Sequence, residues 1–87
     1  MASKTVIVGS AVGLHARPAS IVADAASEFD DDIELVKVGG DDEPADAASA
    51  MMIMAMGAEK GDQVIVTSDD EAAVEAIAAL IEKDLDA

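Results

Sequence analysis

Period-two alternation of apolar and polar residues marks three segments of this chain as β-strands. The segments are residues 4–9, 33–38 and 63–67. In the first segment Val6 and Val8 fall on one face, and in the last Val64 and Val66 share a face. The pattern therefore predicts three strands spread along the chain, separated by segments with a different period.

A helical period follows the first strand and predicts a helix over residues 16–28. The apolar residues that recur at helical spacing are Ala19, Val22, Ala26 and Phe29. The opposite, solvent-facing side carries Ser20, Asp24 and Ser27. Asp30-Asp31-Asp32 then interrupts the pattern, so the helix ends before this run.

Two further helices are predicted from their terminal residues. Ser49 is suited to the N-cap of a short helix that continues to Met56, and Gly57 is suited to stop it. Ser68 and Glu71 have the spacing of a capping box for the last helix. The apolar stripe of that helix consists of Val74, Ile77 and Ile81, with Leu80 beside it.

The segment between the second strand and the short helix has the weakest pattern. Residues 39–42 read Gly-Gly-Asp-Asp and predict a turn. A strand could pass through residues 43–47, where Pro44 would confine it to a sheet edge. Since each helix has one apolar stripe to bury, we expect the helices to gather on one face of an antiparallel sheet.

Composition narrows the possible functions. The 87 residues are enough for one domain, predicted over residues 1–87. There are no cysteines and one histidine, which excludes a disulfide framework and an ordinary zinc site. The longest apolar run, residues 50–56, is too short to span a bilayer. We therefore predict a cytoplasmic protein.

The charge balance is strongly acidic, with 19 acidic residues against five basic ones and a net charge of −14. Nucleic acids and anionic membranes are unfavourable partners for such a surface. The acidic residues are spread along the chain, and molar salt would screen their mutual repulsion. This balance suggests a cytoplasm with high salt, and an acidic mesophilic protein is the alternative.

The candidate chemistry lies in one short string around the single histidine. His15 and Arg17, the only histidine and the only arginine, fall at the predicted start of the first helix. Free N–H groups and the positive end of the helix dipole bind anions there, and an arginine fork suits phosphate oxygens. A nucleophilic imidazole at such a place suggests a phosphohistidine.

Simpler readings of the same string remain open. A histidine at a helix start is commonly a capping or surface residue. Arg17 precedes Pro18, which disfavours the α region for Arg17, so the helix could start later or with strain.

Two motifs resemble those of the HPr phosphocarrier family. The string Gly13-Leu14-His15-Ala16-Arg17-Pro18-Ala19 resembles the family's active-site signature without interruption. Residues 49–57, Ser-Ala-Met-Met-Ile-Met-Ala-Met-Gly, resemble its second signature, and Lys60-Gly61 follows at the usual distance. Lys4-Thr5-Val6 opens the chain as in many members. The resemblance covers nearly the whole chain.

The resemblance implies an α+β fold, the open-faced β-sandwich of this family. Four antiparallel strands would be covered on one face by three helices, in the order βαββαβα. The strand in residues 43–47 is inferred mainly from this resemblance. The segment is slightly longer than usual, which predicts an enlarged loop at residues 41–46.

The resemblance also implies a function. His15 would take a phosphoryl group on its pros (δ) nitrogen from enzyme I and pass it to an enzyme IIA-type protein for sugar uptake. Arg17 would steady the phosphate. Such a carrier, expected as a monomer, forms a covalent phosphohistidine without being a stand-alone catalyst, and it needs no cofactor or metal of its own.

Partner docking is implied for a second group of positions, which comprises Ser20, Ala50, Met51 and Met54. Met52 departs from the small residue usual at its position, and Asp24 and Ser27 replace the usual basic or neutral polar residues. The alternative is that all four methionines of the short helix fill the core. Ser49 falls at a serine that some bacteria phosphorylate for regulation, although an N-cap role explains it.

Two other functions are compatible with the sequence. The same relay could serve a dihydroxyacetone kinase or a nitrogen-type branch. A regulatory module that binds proteins without passing phosphate on is also possible, and the intact His15 and Arg17 argue against it.

Overall fold

The computed structural model describes residues 2–11, 13–40 and 43–83. Four strands and three helices alternate in the predicted order, βαββαβα. The strands are β1 (Ala2–Ile7), β2 (Ile33–Lys37), β3 (Ala45–Asp46) and β4 (Gln63–Ser68). The helices are α1 (Ala16–Ala26), α2 (Ala50–Ala55) and α3 (Glu71–Glu82).

The strands form one antiparallel sheet in the order β1-β4-β2-β3. The central strand β4 pairs with β1 through Val6 and Val64 and with β2 through Leu35 and Val66. The two-residue β3 lies at the edge, where Ala45 is opposite Leu35. The edge position predicted from Pro44 is confirmed, because β3 is the last strand in this order. Pro44, which has no N–H to donate to a neighbouring strand, directly precedes it.

The core lies between one face of the sheet and the helices. The apolar residues predicted for that face, Val6, Val8, Val64 and Val66, are at most 4% exposed. The helices contribute the same kind of residue, and the buried members predicted from their stripes are Ala19, Val22, Ala26, Val74, Ile77 and Ile81. The predicted solvent-facing residues of α1 are exposed. The open-faced α+β fold is therefore confirmed.

The start of α3 corrects one prediction. Ser68 is not its N-cap but the last residue of β4, where it is buried and pairs with Ala2 and Ile33. Asp70 caps the helix instead, and its side chain accepts hydrogen bonds from the N–H groups of Ala72 and Ala73. Because Ser68 is the last residue of β4 and pairs in the sheet, the helix begins later in the chain and Asp70, directly before its first residue, provides the cap.

The remaining turns occur at the glycines predicted to form them. Gly57, directly after the C-cap of α2, has a φ of 67°, a conformation that glycine adopts without strain. Gly39 turns the chain after β2 with a φ of 81°. Asp41 and Asp42, which belong to the predicted turn and to the predicted enlarged loop, lie outside the described residues. None of the helices in the described part of the chain is long and apolar enough to cross a membrane.

Candidate functional site

The loop before α1 is fixed to the loop after α2. Gly13 has a φ of 74°, and a Cβ atom there would collide with the Ala58 carbonyl oxygen and the Glu59 backbone. The Leu14 N–H donates to the Ala58 oxygen at 2.9 Å, and the Leu14 side chain is 2% exposed. Only glycine fits this close approach, and the buried leucine anchors the residue directly before His15.

His15 is the N-cap residue of α1, with an extended backbone (φ −87°, ψ −163°) and an exposed side chain. Its carbonyl oxygen accepts the first helical hydrogen bond, from the Ala19 N–H at 2.8 Å. Its imidazole makes no capping hydrogen bond. The alternative that His15 serves as a capping side chain is therefore wrong, and the ring faces solvent at the start of the helix.

Arg17 and Pro18 are the second and third residues of α1. The alternative that the helix starts after the proline is wrong: Pro18 and Ala19 are buried, and their packing holds the first turn in place despite the bias on a residue before proline. Pro18 has no N–H, so the unpaired donors of this turn are those of Ala16 and Arg17, beside His15.

The guanidinium of Arg17 is exposed at this helix end. The ion pairs in residues 2–11, 13–40 and 43–83 are Lys4–Glu75 at 3.2 Å and Lys37–Asp62 at 3.6 Å. Neither of them includes Arg17, and α1 has no acidic residue in its first turn. The helix end therefore combines N–H donors, a fixed positive charge and a nucleophilic ring without an internal counter-anion, which is an arrangement suited to a phosphoryl group.

The short helix α2 exposes most of its methionines. Met51 is 77% exposed, Met52 44% and Met54 39%, whereas Ile53 is fully buried. The alternative that all four methionines fill the core is therefore wrong. Ser20 on α1 is exposed, and Ala50 is partly buried against the core. Because α2 packs against α1, the exposed methionines belong to a helix that adjoins the one begun by His15.

Ser49 is confirmed as the N-cap of α2. Its hydroxyl oxygen accepts a hydrogen bond from the Met52 N–H at 3.3 Å, and its backbone is extended. This contact gives the serine a structural role in starting the helix.

Comparisons with known proteins show the family of this chain. A family model described as "PTS HPr component phosphorylation site" matches residues 2–83. The chain belongs to the HPr phosphocarrier family of the phosphotransferase system. It is 39% identical over 89 aligned positions to the phosphocarrier protein HPr of Streptomyces coelicolor, which covers 99% of this chain and 94% of the relative.

Other HPr proteins show the same likeness. The HPr of Treponema pallidum is 41% identical over 85 aligned positions, which cover 94% of this chain and 93% of the relative. The crystal structure of an HPr from Thermoanaerobacter tengcongensis superposes with a TM-score of 0.87 at 33% identity, and covers 100% of this chain and 98% of that one. The chain is thus a phosphocarrier of the phosphotransferase system, and the fold and the phosphocarrier function implied by the sequence resemblance are confirmed.

The sequence did not predict the support behind the His15 loop. The structure joins residues 58–61 to Leu14 and Val8, and Lys37 contacts Gly57 and Asp62 on either side of them. These partners are distant in the chain and follow no motif with a fixed spacing. Gly61, which also has a positive φ, was the one local signal of a tightly constrained loop.

Proposed function

We propose that His15 is the residue of this HPr protein that carries the phosphoryl group. The observation that supports it best is the exposed imidazole at the start of α1, which makes no capping hydrogen bond, together with Arg17 in the first turn. In the transfer, the bond between phosphorus and the donor breaks, and a new bond forms between phosphorus and an unprotonated ring nitrogen of His15. The family resemblance implies the pros nitrogen, Nδ1.

Arg17 steadies the phosphate in this proposal. The phosphoryl group adds about −1.5 to −2 charges to a chain already at −14, so it requires local compensation. Interactions at a helix end contribute only ~0.3–1 kcal/mol, and up to ~2 kcal/mol when partly buried. Arg17 supplies the remainder at short range. The total stabilisation of the bound phosphate stays modest, because a carrier must also release its phosphate.

The donor is enzyme I, charged by phosphoenolpyruvate, and the acceptor is an enzyme IIA-type protein of a sugar system. Incubation of the protein with enzyme I and phosphoenolpyruvate, followed by intact-mass measurement, tests the site. We expect one phosphate, lost in mild acid as a P–N bond requires, and none on the variant His15→Ala. A phosphate that still appears on the folded His15→Ala protein would show that another residue is the carrier.

Both partners dock on a surface formed by Ser20, Ala50, Met51 and Met54. Its support is the exposure of Met51 and Met54 on the helix that packs against α1. Methionine side chains adapt to several partner surfaces. The substitution Met51→Asp should slow phosphoryl transfer and leave the melting temperature nearly unchanged, because the side chain is 77% exposed. Loss of folding, or transfer at the wild-type rate, would contradict the docking role.

The remaining features of the proposal concern the cellular setting. We place the carrier in a cytoplasm with high salt, as a monomer, on the basis of its net charge of −14. Screening of this charge should raise the melting temperature between low salt and molar KCl. Ser49 stays a candidate regulatory phosphorylation site, although its cap contact with Met52 suffices to explain the residue.

A further inference from the structure

Lys37, the last residue of β2, places one of the few positive charges of this chain beside two acceptors of another segment. The chain has five basic residues in all. The Lys37 ammonium donates to the Gly57 carbonyl oxygen at 3.4 Å and lies 3.6 Å from Asp62 Oδ2. Its side chain is 30% exposed, and its stem lines a groove with Met52 and Met56. The sheet thus contacts both ends of the loop 57–62 that follows α2.

The loop 57–62 contains further contacts that make it one unit. Asp62 Oδ2, which faces Lys37, also accepts a hydrogen bond from the Glu59 N–H at 2.8 Å. The Asp62 backbone N–H donates to the Glu59 carbonyl oxygen at 2.9 Å. Gly57 begins this loop directly after α2, which has no basic residue in its last turn. Lys37 supplies the missing cation at this negative helix end from a neighbouring strand.

The same loop carries the contacts that support the phosphorylation site. The Ala58 oxygen accepts from the Leu14 N–H at 2.9 Å, and Ala58 and Glu59 form the surface on which Gly13 rests. Leu14 directly precedes His15. A continuous path of contacts therefore runs from the Lys37 ammonium through Gly57 and Asp62 to Ala58, and from there to Leu14 and the backbone of His15.

We propose that Lys37 is a positioning residue for phosphoryl transfer, which acts by fixing the loop 57–62 under the backbone that carries His15. The proposal rests on His15 as the carrier. Lys37 does not contact His15. Its effect follows from the sensitivity of in-line transfer to the placement of the nucleophile, because a small displacement lowers the population of reactive geometry.

The test compares Lys37→Met with Lys4→Met. Both substitutions remove one positive charge and break one ion pair, and Lys4 pairs with Glu75 of α3 rather than with the supporting loop. In Lys37→Met we expect the Leu14 amide to exchange with solvent about tenfold faster, with amides of α3 unchanged. The maximal rate of transfer from enzyme I should fall about three- to tenfold, with KM for enzyme I unchanged.

Lys4→Met should change neither quantity, and Lys37→Arg, which restores a donor to both acceptors, should recover most of the rate. Wild-type exchange at Leu14 in Lys37→Met would overturn the proposal. A higher KM with an unchanged maximal rate would also overturn it, because Lys37 would then act in docking. Leu14 exchange is read without phosphate, and therefore separates this failure from a failure of His15 as the carrier.

If Lys37→Met does not fold, Asp62→Asn provides the second test. The asparagine keeps an oxygen that can accept from the Glu59 N–H and removes only the charge that faces Lys37. Faster exchange at Leu14 and slower transfer would support the proposal, and wild-type values for both would overturn it.

Discussion

The N-termini of α1 and α3 have the same backbone form and opposite chemistry. Each helix starts from a residue with an extended backbone, His15 in one case and Asp70 in the other. The Asp70 carboxylate accepts hydrogen bonds from two N–H groups, and Glu71 adds a negative charge in the first turn. At α1 the imidazole makes no cap, and the first turn carries Arg17 and no acidic residue.

The difference shows how this chain separates stability from function. An N-cap side chain satisfies the free donors of a helix and contributes about 0.5–2 kcal/mol to stability. The chain has 19 acidic residues, yet none is placed in the first turn of α1. The donors there remain available to an external anion. An open helix end and a positive side chain at the only histidine are what a transient phosphate needs.

The largest effect is expected from closing the open end. The substitution His15→Asp places a good capping residue on a backbone that is already extended. It should abolish phosphorylation completely and raise the free energy of unfolding by about 0.5–1 kcal/mol. Phosphate uptake by intact mass and denaturant unfolding measure the two results. His15→Ala is the matched control, which should also lose phosphorylation but change stability by less than about 0.5 kcal/mol. A destabilised His15→Asp would mean that the end is already closed.

A smaller effect is expected when the positive charge at the open end is removed. Arg17→Ala should still accept phosphate, with transfer slowed about tenfold, which corresponds to ~1.4 kcal/mol of transition-state stabilisation. Arg17→Lys keeps the charge without the planar fork and should give an intermediate rate. Rapid-quench kinetics with enzyme I measures these rates. Lys4→Ala also removes one positive charge, but at a position outside α1, and should transfer phosphate at the normal rate. Equal slowing in both variants would show that the effect comes from net charge alone.

The smallest effect is expected from opening the closed end. Asp70→Ala removes the acceptor for the Ala72 and Ala73 N–H groups and should lower the free energy of unfolding by about 1 kcal/mol. Phosphoryl transfer should continue at the wild-type rate. Urea denaturation measures the stability change, and Asp69→Ala at the exposed neighbouring position is the control for charge. A large loss of stability in Asp69→Ala, with no loss in Asp70→Ala, would show that Asp70 is not the capping residue.

The same two helix ends show how much of the structure could be predicted from the sequence. The period of α1 and the burial of Ala19 and Val22 were predictable, because helical spacing alone determines which face packs. The capping residue of α3 was not, since both Ser68 and Asp70 can cap, and only the pairing of Ser68 with the neighbouring strands decides between them. Likewise, the local bias that Pro18 places on Arg17 was overcome by tertiary packing.

The candidate site divides in the same way. His15 and Arg17 are two residues apart in the chain, so one short motif was enough to predict both. Lys37 and Asp62 meet only after β2 and the loop 57–62 come together in the fold, and no spacing in the sequence encodes that meeting. The two-residue β3 is too short for any alternation, and it was inferred mainly from the family resemblance. Local chemistry was therefore predictable, and its distant support was not.

The most direct test of an open helix end at His15 is an NMR comparison of the backbone amides at both helix starts, before and after phosphorylation by enzyme I and phosphoenolpyruvate. The phosphate should bind the donors that the helix leaves free. We predict large downfield shifts for the Ala16 and Arg17 amide protons and unchanged shifts for those of Ala72 and Ala73, which Asp70 already binds. Phosphorylation of His15 without a shift at Ala16 or Arg17 would contradict the account.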